Sequence, residues 1–596
     1  MASVIGAEFD LGLLERVVEA ADAGEVLDEI EEAEAGHLVV ELGHAHYRFS
    51  HAMVRDTIYS GLSTTRKGRL HRRVAEAIET LPSIDTALLL PALAHHFGEA
   101  AASGCALKAA DYAVAAARQA LSLAAWEDAA AHLERGLRAL DADRPPDLER
   151  RCDMLILLAE TWSRYFNPAR AFDVAALAVA AARTLDSPER LARAAYWWVR
   201  HHRINEPQVV VELCQEALAG LGDGLPAVRA KLLAVLSRVE DAGGRDSGPL
   251  SREALRVARC CGDPEALGVA LVTACARLRG SPHAHEYLAL AEELVSAAPP
   301  DGWDGWRDGY SYRAMGRLCL GDRPGFEAAV ADCRRFGSER RFWYYRWIAG
   351  VWSATLALLD GRFAEAEALA AQAHDLATGD WNMAPVLLVR QHFRMTVERG
   401  EFMRARSIAE LLGQDGTNNH MHQAMLLYAR AELEGVDSGR PMYEAFTDEG
   451  LGGMSPERRP VTLAYRCEVA AALGGPARAA RLHEELSPYG GQIVIGGMGE
   501  GCMGAVDRYL GMLATVMGRW DDAEAYYVGA LAQEFRLGSP PLAARTQYWF
   551  ARMLLARPGS GESAKTRDLL ISAQDTASGL GMARLAADST ELLGRV

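Results

Sequence analysis

Along most of this 596-residue chain, apolar residues recur at intervals of three and four, the spacing of one helix face. Glycines cut the pattern into helix pairs. The clearest unit is Leu358-Leu359-Asp360-Gly361-Arg362-Phe363-Ala364-Glu365-Ala366-Glu367, where one helix ends at glycine and the next opens on an aromatic. Variants recur at Gly518-Arg519-Trp520 and Gly400-Glu401-Phe402, with a degenerate copy at Leu320-Gly321-Asp322-Arg323. In three copies the aromatic is followed by a small residue at +3 and +10: Phe363/Ala366/Ala373, Trp520/Ala523/Ala530 and Trp126/Ala129/Gly136. These offsets share one helix face, so each second helix carries a knob and a smooth strip that admits a neighbouring helix. The turn glycines Gly321, Gly361, Gly400, Gly435, Gly474 and Gly518 are 40, 39, 35, 39 and 44 residues apart. Two helices per unit at that period predict an all-α, TPR-like superhelix, looser than the usual unit of about 34 residues.

Residues 1–60 break the rule. Phe9 to Val18 reads as a helix, and Val26 to Ala35 as a second, acidic one. His37–Leu42 and His46–Ser50 then alternate as two short strands around Gly43, the one hairpin expected in the chain, and a helix follows from Ala52 to Leu62. Helix, helix, hairpin, helix is a winged-helix order. The expected division is a winged-helix-like domain over 1–81, first helical hairpins over 82–145 and the repeat array over 146–596. Pro82 and Pro145-Pro146 mark its boundaries, and Pro226, Pro264, Pro299-Pro300, Pro456 and Pro540-Pro541 also fall between periodic segments.

Several stretches resemble a known family. Val4-Ile5-Gly6-Ala7-Glu8-Phe9 and Tyr47-Arg48-Phe49-Ser50-His51-Ala52-Met53-Val54-Arg55-Asp56 resemble the segment after the ATPase module in actinobacterial STAND-type regulators (LuxR-type, SARP-type and cyclase-linked). The likeness continues through Leu70-His71-Arg72-Arg73-Val74-Ala75-Glu76-Ala77, Leu93-Ala94-His95-His96-Phe97 and Val506-Asp507-Arg508-Tyr509-Leu510-Gly511. It implies that His51, at the place of the family's MHD-type motif, and Arg55 are nucleotide-sensing residues. The plain alternative for His51 is a helix cap. No Gly-x-x-x-x-Gly-Lys-Ser/Thr is present, and the sequence stops at Val596 where LuxR-type members continue into a helix-turn-helix. The resemblance therefore implies the regulatory half of such a protein, either truncated or acting in trans with an ATPase module.

Composition narrows the reading. A net charge of −17 disfavours a nucleic-acid platform. None of the ten cysteines forms a Cys-x-x-Cys pair, which predicts reduced core thiols. No apolar run reaches membrane-spanning length and Met1–Gly6 lacks signal-peptide character, so the expected compartment is the cytoplasm. Gly499-x-Gly501-x-x-Gly504 matches a dinucleotide fingerprint, but the acids about 20 residues on, Asp521 and Asp522, open a repeat helix. A long inter-repeat loop is the preferred reading there. The basic run Arg66-Lys67-Gly68-Arg69-Leu70-His71-Arg72-Arg73 reads as a solvated helix face or an ATPase contact before a DNA site. Paired histidines such as His95/His96 lack a cysteine at ligand spacing, so no metal and no cofactor are expected.

Two aromatic clusters remain: Tyr196-Trp197-Trp198 with Arg200 and Arg203, and Phe342-Trp343-Tyr344-Tyr345-Arg346-Trp347 through Trp352. Core filling and partner binding weigh evenly. Trp343 and Trp347 share a face and are expected in the core, leaving Tyr344, Arg346, Trp198 and Arg200 as partner-binding candidates. The expected function is a non-catalytic regulatory and effector-sensing module, contacting a protein, a peptide or a small effector. The alternatives are a free-standing adaptor and, from another class, a nucleotide-dependent enzyme built on the glycine loop.

Overall fold

The computed structural model describes residues 1–18, 23–81, 86–142, 145–165, 167–201, 207–297, 307–339, 343–377, 383–413, 420–445, 454, 456–559 and 564–596. They form two compact units, Met1–Val239 and Glu240–Val596. Both are built of consecutive helix pairs, an all-α, TPR-like repeat architecture. Among the described residues no helix is long and apolar enough to cross a membrane.

The first unit opens with a small antiparallel sheet of β1 (Glu8–Asp10), β2 (Val39–Gly43) and β3 (His46–Phe49), in the order β1-β3-β2. The hairpin lies where the alternation placed it. Its two-residue turn, His44-Ala45, has φ of 55° and 62°, the type I′ geometry that matches strand twist. The helix expected from Phe9 starts later, at Leu11. Residues 8–10 alternate exposed, buried, exposed and pair with β3, so Phe9 enters the core from a strand, against Tyr47 and Phe49 at 5.9 and 5.7 Å between ring centres. Asp10 Oδ1 accepts from Leu13 N at 3.1 Å and starts the helix. Beyond the sheet, Thr64–Glu79, Leu90–Glu99, Ala106–Ser122 and Trp126–Leu140 pack in succession.

In the second unit all six turn glycines are left-handed, with φ between 70° and 89°, each just after the first helix of its pair. The small strip does what its spacing implies. A Cβ on Gly350 would stand 2.8 Å from Ala373 Cβ, and one on Gly136, in the first unit, 2.7 Å from Ala113 Cβ. Pro226, Pro264, Pro476 and Pro540 fall at helix starts, Pro441 lies inside a helix, and Pro82, Pro299 and Pro300 lie outside the described residues.

Within this unit the last helices return to the middle repeats. Ala577, Met582 and Leu585 share a core with Phe363, Ala366 and Met395, and Ser539 Oγ donates to Leu359 O at 2.8 Å. The stretch read as an inter-repeat loop is a second hairpin, β4 (Ile493–Ile495) with β5 (Cys502–Ala505). Ile493 and Cys502 join the core of the Trp343–Leu359 helix, Trp352 Nε1 donates to Met498 O at 2.7 Å, and Thr355 Oγ1 to Gly499 O at 2.8 Å. The aromatic helix, for which core filling and partner binding weighed evenly, thus holds the chain's own hairpin.

Candidate functional site

The second unit encloses a cavity of about 430 Å³ between Met383–Arg399, His420–Glu434 and Arg459–Leu473 on one side and Pro540–Ala556 and Ala583–Leu593 on the other. Its wall mixes acids and arginines with apolar and aromatic side chains and carries no Ser, Thr, Cys, His or Lys among the described residues. Arg545 bridges the two sides, with Nε to Glu398 Oε2 at 2.7 Å and Nη2 to Val397 O at 3.1 Å. Arg584 pairs with Asp588 at 3.1 Å but stands 4.0 Å from Glu432. Burial, with Glu468 beside it, pushes the Glu432 carboxyl above its ordinary range; burial does the same to Asp588. Arg552 covers Trp549 at 4.3 Å, giving the mouth an aromatic rim. A wall rich in acids, with guanidinium groups and an indole, suits recognition of a polar, partly cationic ligand.

None of the nucleotide-sensing or partner-binding candidates lines this cavity, although the repeat residues Phe402 and Gly435 do. His51 is the N-cap residue of the Ala52–Ser60 helix but is exposed and makes no capping hydrogen bond through its side chain. Arg55 is committed to the fold, donating from Nε to Ser3 O at 3.2 Å and lying 5.7 Å from the Tyr59 ring centre. Trp198 is half-buried against Phe172, and Arg200 donates to Tyr196 Oη at 3.2 Å. Arg203 and Phe342 lie outside the described residues. Trp347 is buried and Arg346 exposed, as the helical spacing implied, but Trp343 and Tyr344 are both half-buried, the Tyr344 hydroxyl 3.4 Å from Ser311 Oγ.

Thermal melts of four alanine variants should therefore follow burial. Trp347→Ala will cost about 3–5 kcal/mol, Trp343→Ala and Tyr344→Ala less, and Arg346→Ala within about 0.5 kcal/mol. Equal losses from all four would contradict this packing.

The fingerprint glycines serve the second hairpin. Gly499 has φ 76° and turns beneath Trp352, where a Cβ would stand 2.8 Å from Nε1; Gly504, within β5, has φ 91°. The segment is an antiparallel pair whose strands meet each other, not a strand opening onto a phosphate-binding helix end.

The His95/His96 pair, set aside as a metal site in the sequence, has a third histidine beside it that the sequence did not bring together with it. His71, on Thr64–Glu79, and His95 and His96, on Leu90–Glu99, bring ring nitrogens within 4.8 Å of one another. His71 Nδ1 is 2.9 Å from His96 Nδ1, and His71 Nε2 is 2.9 Å from Tyr59 Oη. Burial, reinforced by the neighbouring imidazoles, lowers His71 to about 4 and His96 to about 3. His71 sits among the arginines of the basic run, yet it points into the core while Arg66, Arg69 and Arg72 are exposed.

No family model and no curated protein matches the chain. Among solved structures it is similar to a chain of the APC/C hetero-tetramer Cut9-Hcn1, at 12% identity over 90% of this chain and 94% of that one, with a TM-score of 0.40. It is also similar to a Signal Transduction ATPase with Numerous Domains (STAND) protein with a tetratricopeptide repeat sensor from Pyrococcus horikoshii. There the identity is 12% over 75% of this chain and 63% of that one, with a TM-score of 0.26.

Proposed function

We propose that this chain is the non-catalytic regulatory and effector-sensing part of a STAND-type signalling or transcriptional regulator. In this reading residues 1–81 are its winged-helix domain, 82–145 its first helical hairpins and 146–596 its sensing array, working with an ATPase module supplied in trans. The observation that carries it is the charged cavity. It lies between the middle repeats and the returning last helices, so a ligand gripping both walls biases their spacing. Glu432, Glu468 and Asp588 on one wall or the other suit a ligand with a cationic group, and Trp549 suits its carbon skeleton.

Glu432 gives the test. Its carboxyl titrates above the unfolded value, so its destabilisation is absent below the ordinary carboxylate range and develops as pH rises through it. Glu432→Gln is therefore expected to raise the neutral-pH melting temperature, by about 1–3 °C, while weakening a cationic effector at least about tenfold. Thermal melts of wild type and variant read the first effect, and calorimetric titration with a panel of amino acids and polyamines reads the second. A variant that neither melts higher nor binds more weakly would remove the cavity from this proposal.

A second reading, a free-standing adaptor for a protein or peptide, draws on the first unit. An open groove of about 910 Å³ there is lined by Arg118, Arg150, Arg190 and Arg193 with Asp111 and Asp153. Most of those arginines are paired, as Arg190 is with Asp153 at 3.1 Å and Arg150 with Asp111 at 3.2 Å. A peptide seated there would exchange one set of ion pairs for another.

A further inference from the structure

We propose that His71, His95 and His96 form a binding site for a borderline divalent transition ion, of which Zn²⁺ is the type. The donors are of the right kind, since imidazole nitrogens suit zinc, copper and nickel. They also converge. The His71 and His96 Nδ1 atoms are 2.9 Å apart, and all three rings offer a nitrogen within 4.8 Å of the others. At a Zn–N distance of about 2.0–2.1 Å, tetrahedral ligand nitrogens stand roughly 3.3–3.4 Å apart. Opening one pair and drawing in the third ring is a matter of side-chain rotation.

A second shell is already in place. A ligating imidazole characteristically donates its other N–H to an oxygen that fixes the tautomer and the ring plane. When Nδ1 of His71 takes the metal, Nε2 carries the proton and faces Tyr59 Oη at 2.9 Å. The hydrogen shared between the two Nδ1 atoms in the metal-free protein has somewhere to go. Each neutral imidazole holds one N–H, so ligation through Nδ1 moves it to Nε2 with no net change in protonation.

The packing around the cluster is otherwise hard to explain. His71 and His96 are 1% and 3% exposed, on helices that send Val74, Leu93 and Phe97 into the core. His95 meets both, edge-on to His71 at 5.6 Å and tilted to His96 at 5.0 Å between ring centres. Apolar side chains would fill the same space without burying two polar rings. Gly68 lets Thr64–Glu79 lie against the end of Leu90–Glu99 and the turn after it: a Cβ there would stand 3.7 Å from Glu99 O and 2.7 Å from Ser103 Oγ. The nearby cations are engaged elsewhere, Lys67 over the Tyr59 ring at 4.3 Å and Arg55 on Ser3 O at 3.2 Å. His95 is the most open of the three, and Glu99 follows one turn later on the same helix. Water or that carboxylate completes a fourth position on the open side. A metal here ties Thr64–Glu79 to Leu90–Glu99.

The test uses the full chain, stripped with a chelator and titrated with Co²⁺ and Zn²⁺. Expected are one equivalent of Co²⁺ with the visible d–d absorption of a tetrahedral nitrogen site, its displacement by Zn²⁺, and a higher melting temperature with Zn²⁺ but not Mg²⁺. Tyr59→Phe should weaken Zn²⁺ about 10- to 100-fold. His95→Ala, at the most open ligand, should keep the fold and lose at least tenfold in affinity even if His71→Ala fails to fold. Absence of a stoichiometric Co²⁺ complex, or unchanged Zn²⁺ affinity in a folded His95→Ala chain, overturns the assignment.

Discussion

Glu534→Ala is expected to cost the second unit about 3–5 kcal/mol, because it strands a cation in a dry core. Glu534 and Arg508 pair at 3.1 Å with both side chains fully buried. The carboxylate also accepts from Ala505 N at 3.1 Å and from Thr546 Oγ1 at 2.6 Å. The guanidinium reaches Tyr509 Oη at 2.9 Å, the Met503 carbonyl, and Leu542 O at 3.4 Å. One pair therefore joins β5, the helix that follows it, Trp520–Arg536 and Pro540–Ala556. Removing both charges together, as in Arg508→Met with Glu534→Leu, should recover more than half of the loss, since buried pairs replaced by apolar groups are often neutral. Denaturant melts of the single and double variants decide it. A single variant within about 1 kcal/mol of wild type would mean that water reaches the pair.

The repeat was legible because its signal is local. A left-handed residue after a helix favours glycine, and a knob with a small strip needs only residues of one helix, so Gly361, Phe363 and Ala373 announced their pair. The glycine ruler stops in the first unit for an equally local reason. Ala124 and Asp186, with φ of 56° and 47°, occupy the left-handed turn there without being glycine. The strand at Phe9 was misread because its partner, β3, lies some forty residues away and supplies the edge that turns a helical stretch into sheet.

The candidate site was not legible at all. Glu398, Glu432, Arg545 and Asp588 come from four helices, and nothing in a single helix distinguishes a carboxylate facing a cavity from one facing solvent. His71 and His96 were quoted for their resemblance, but only the packing of Thr64–Glu79 on Leu90–Glu99 brings their rings together. In both places tertiary geometry, not residue type, carries the chemistry.

The second hairpin yields the other large effect. Trp352→Ala is expected to destabilise the second unit by about 3–5 kcal/mol. It removes a fully buried indole and the donor to Met498 O, on which the hairpin turn rests. The glycines of the turn separate docking from simple loss of bulk. Gly499→Ala places a methyl 2.8 Å from Trp352 Nε1 on a backbone with φ 76°, so it should release the turn with the indole still present. Gly501→Ala, whose nearest neighbour would be Arg394 Cγ at 3.9 Å, should leave the turn docked. Hydrogen exchange over residues 493–505 reads the difference. Fast exchange is expected in Trp352→Ala and Gly499→Ala and wild-type protection in Gly501→Ala. Equal protection in all three would show that Gln492 Nε2, donating to Pro282 O at 2.7 Å, and the buried Arg508–Glu534 pair hold the hairpin without the tryptophan.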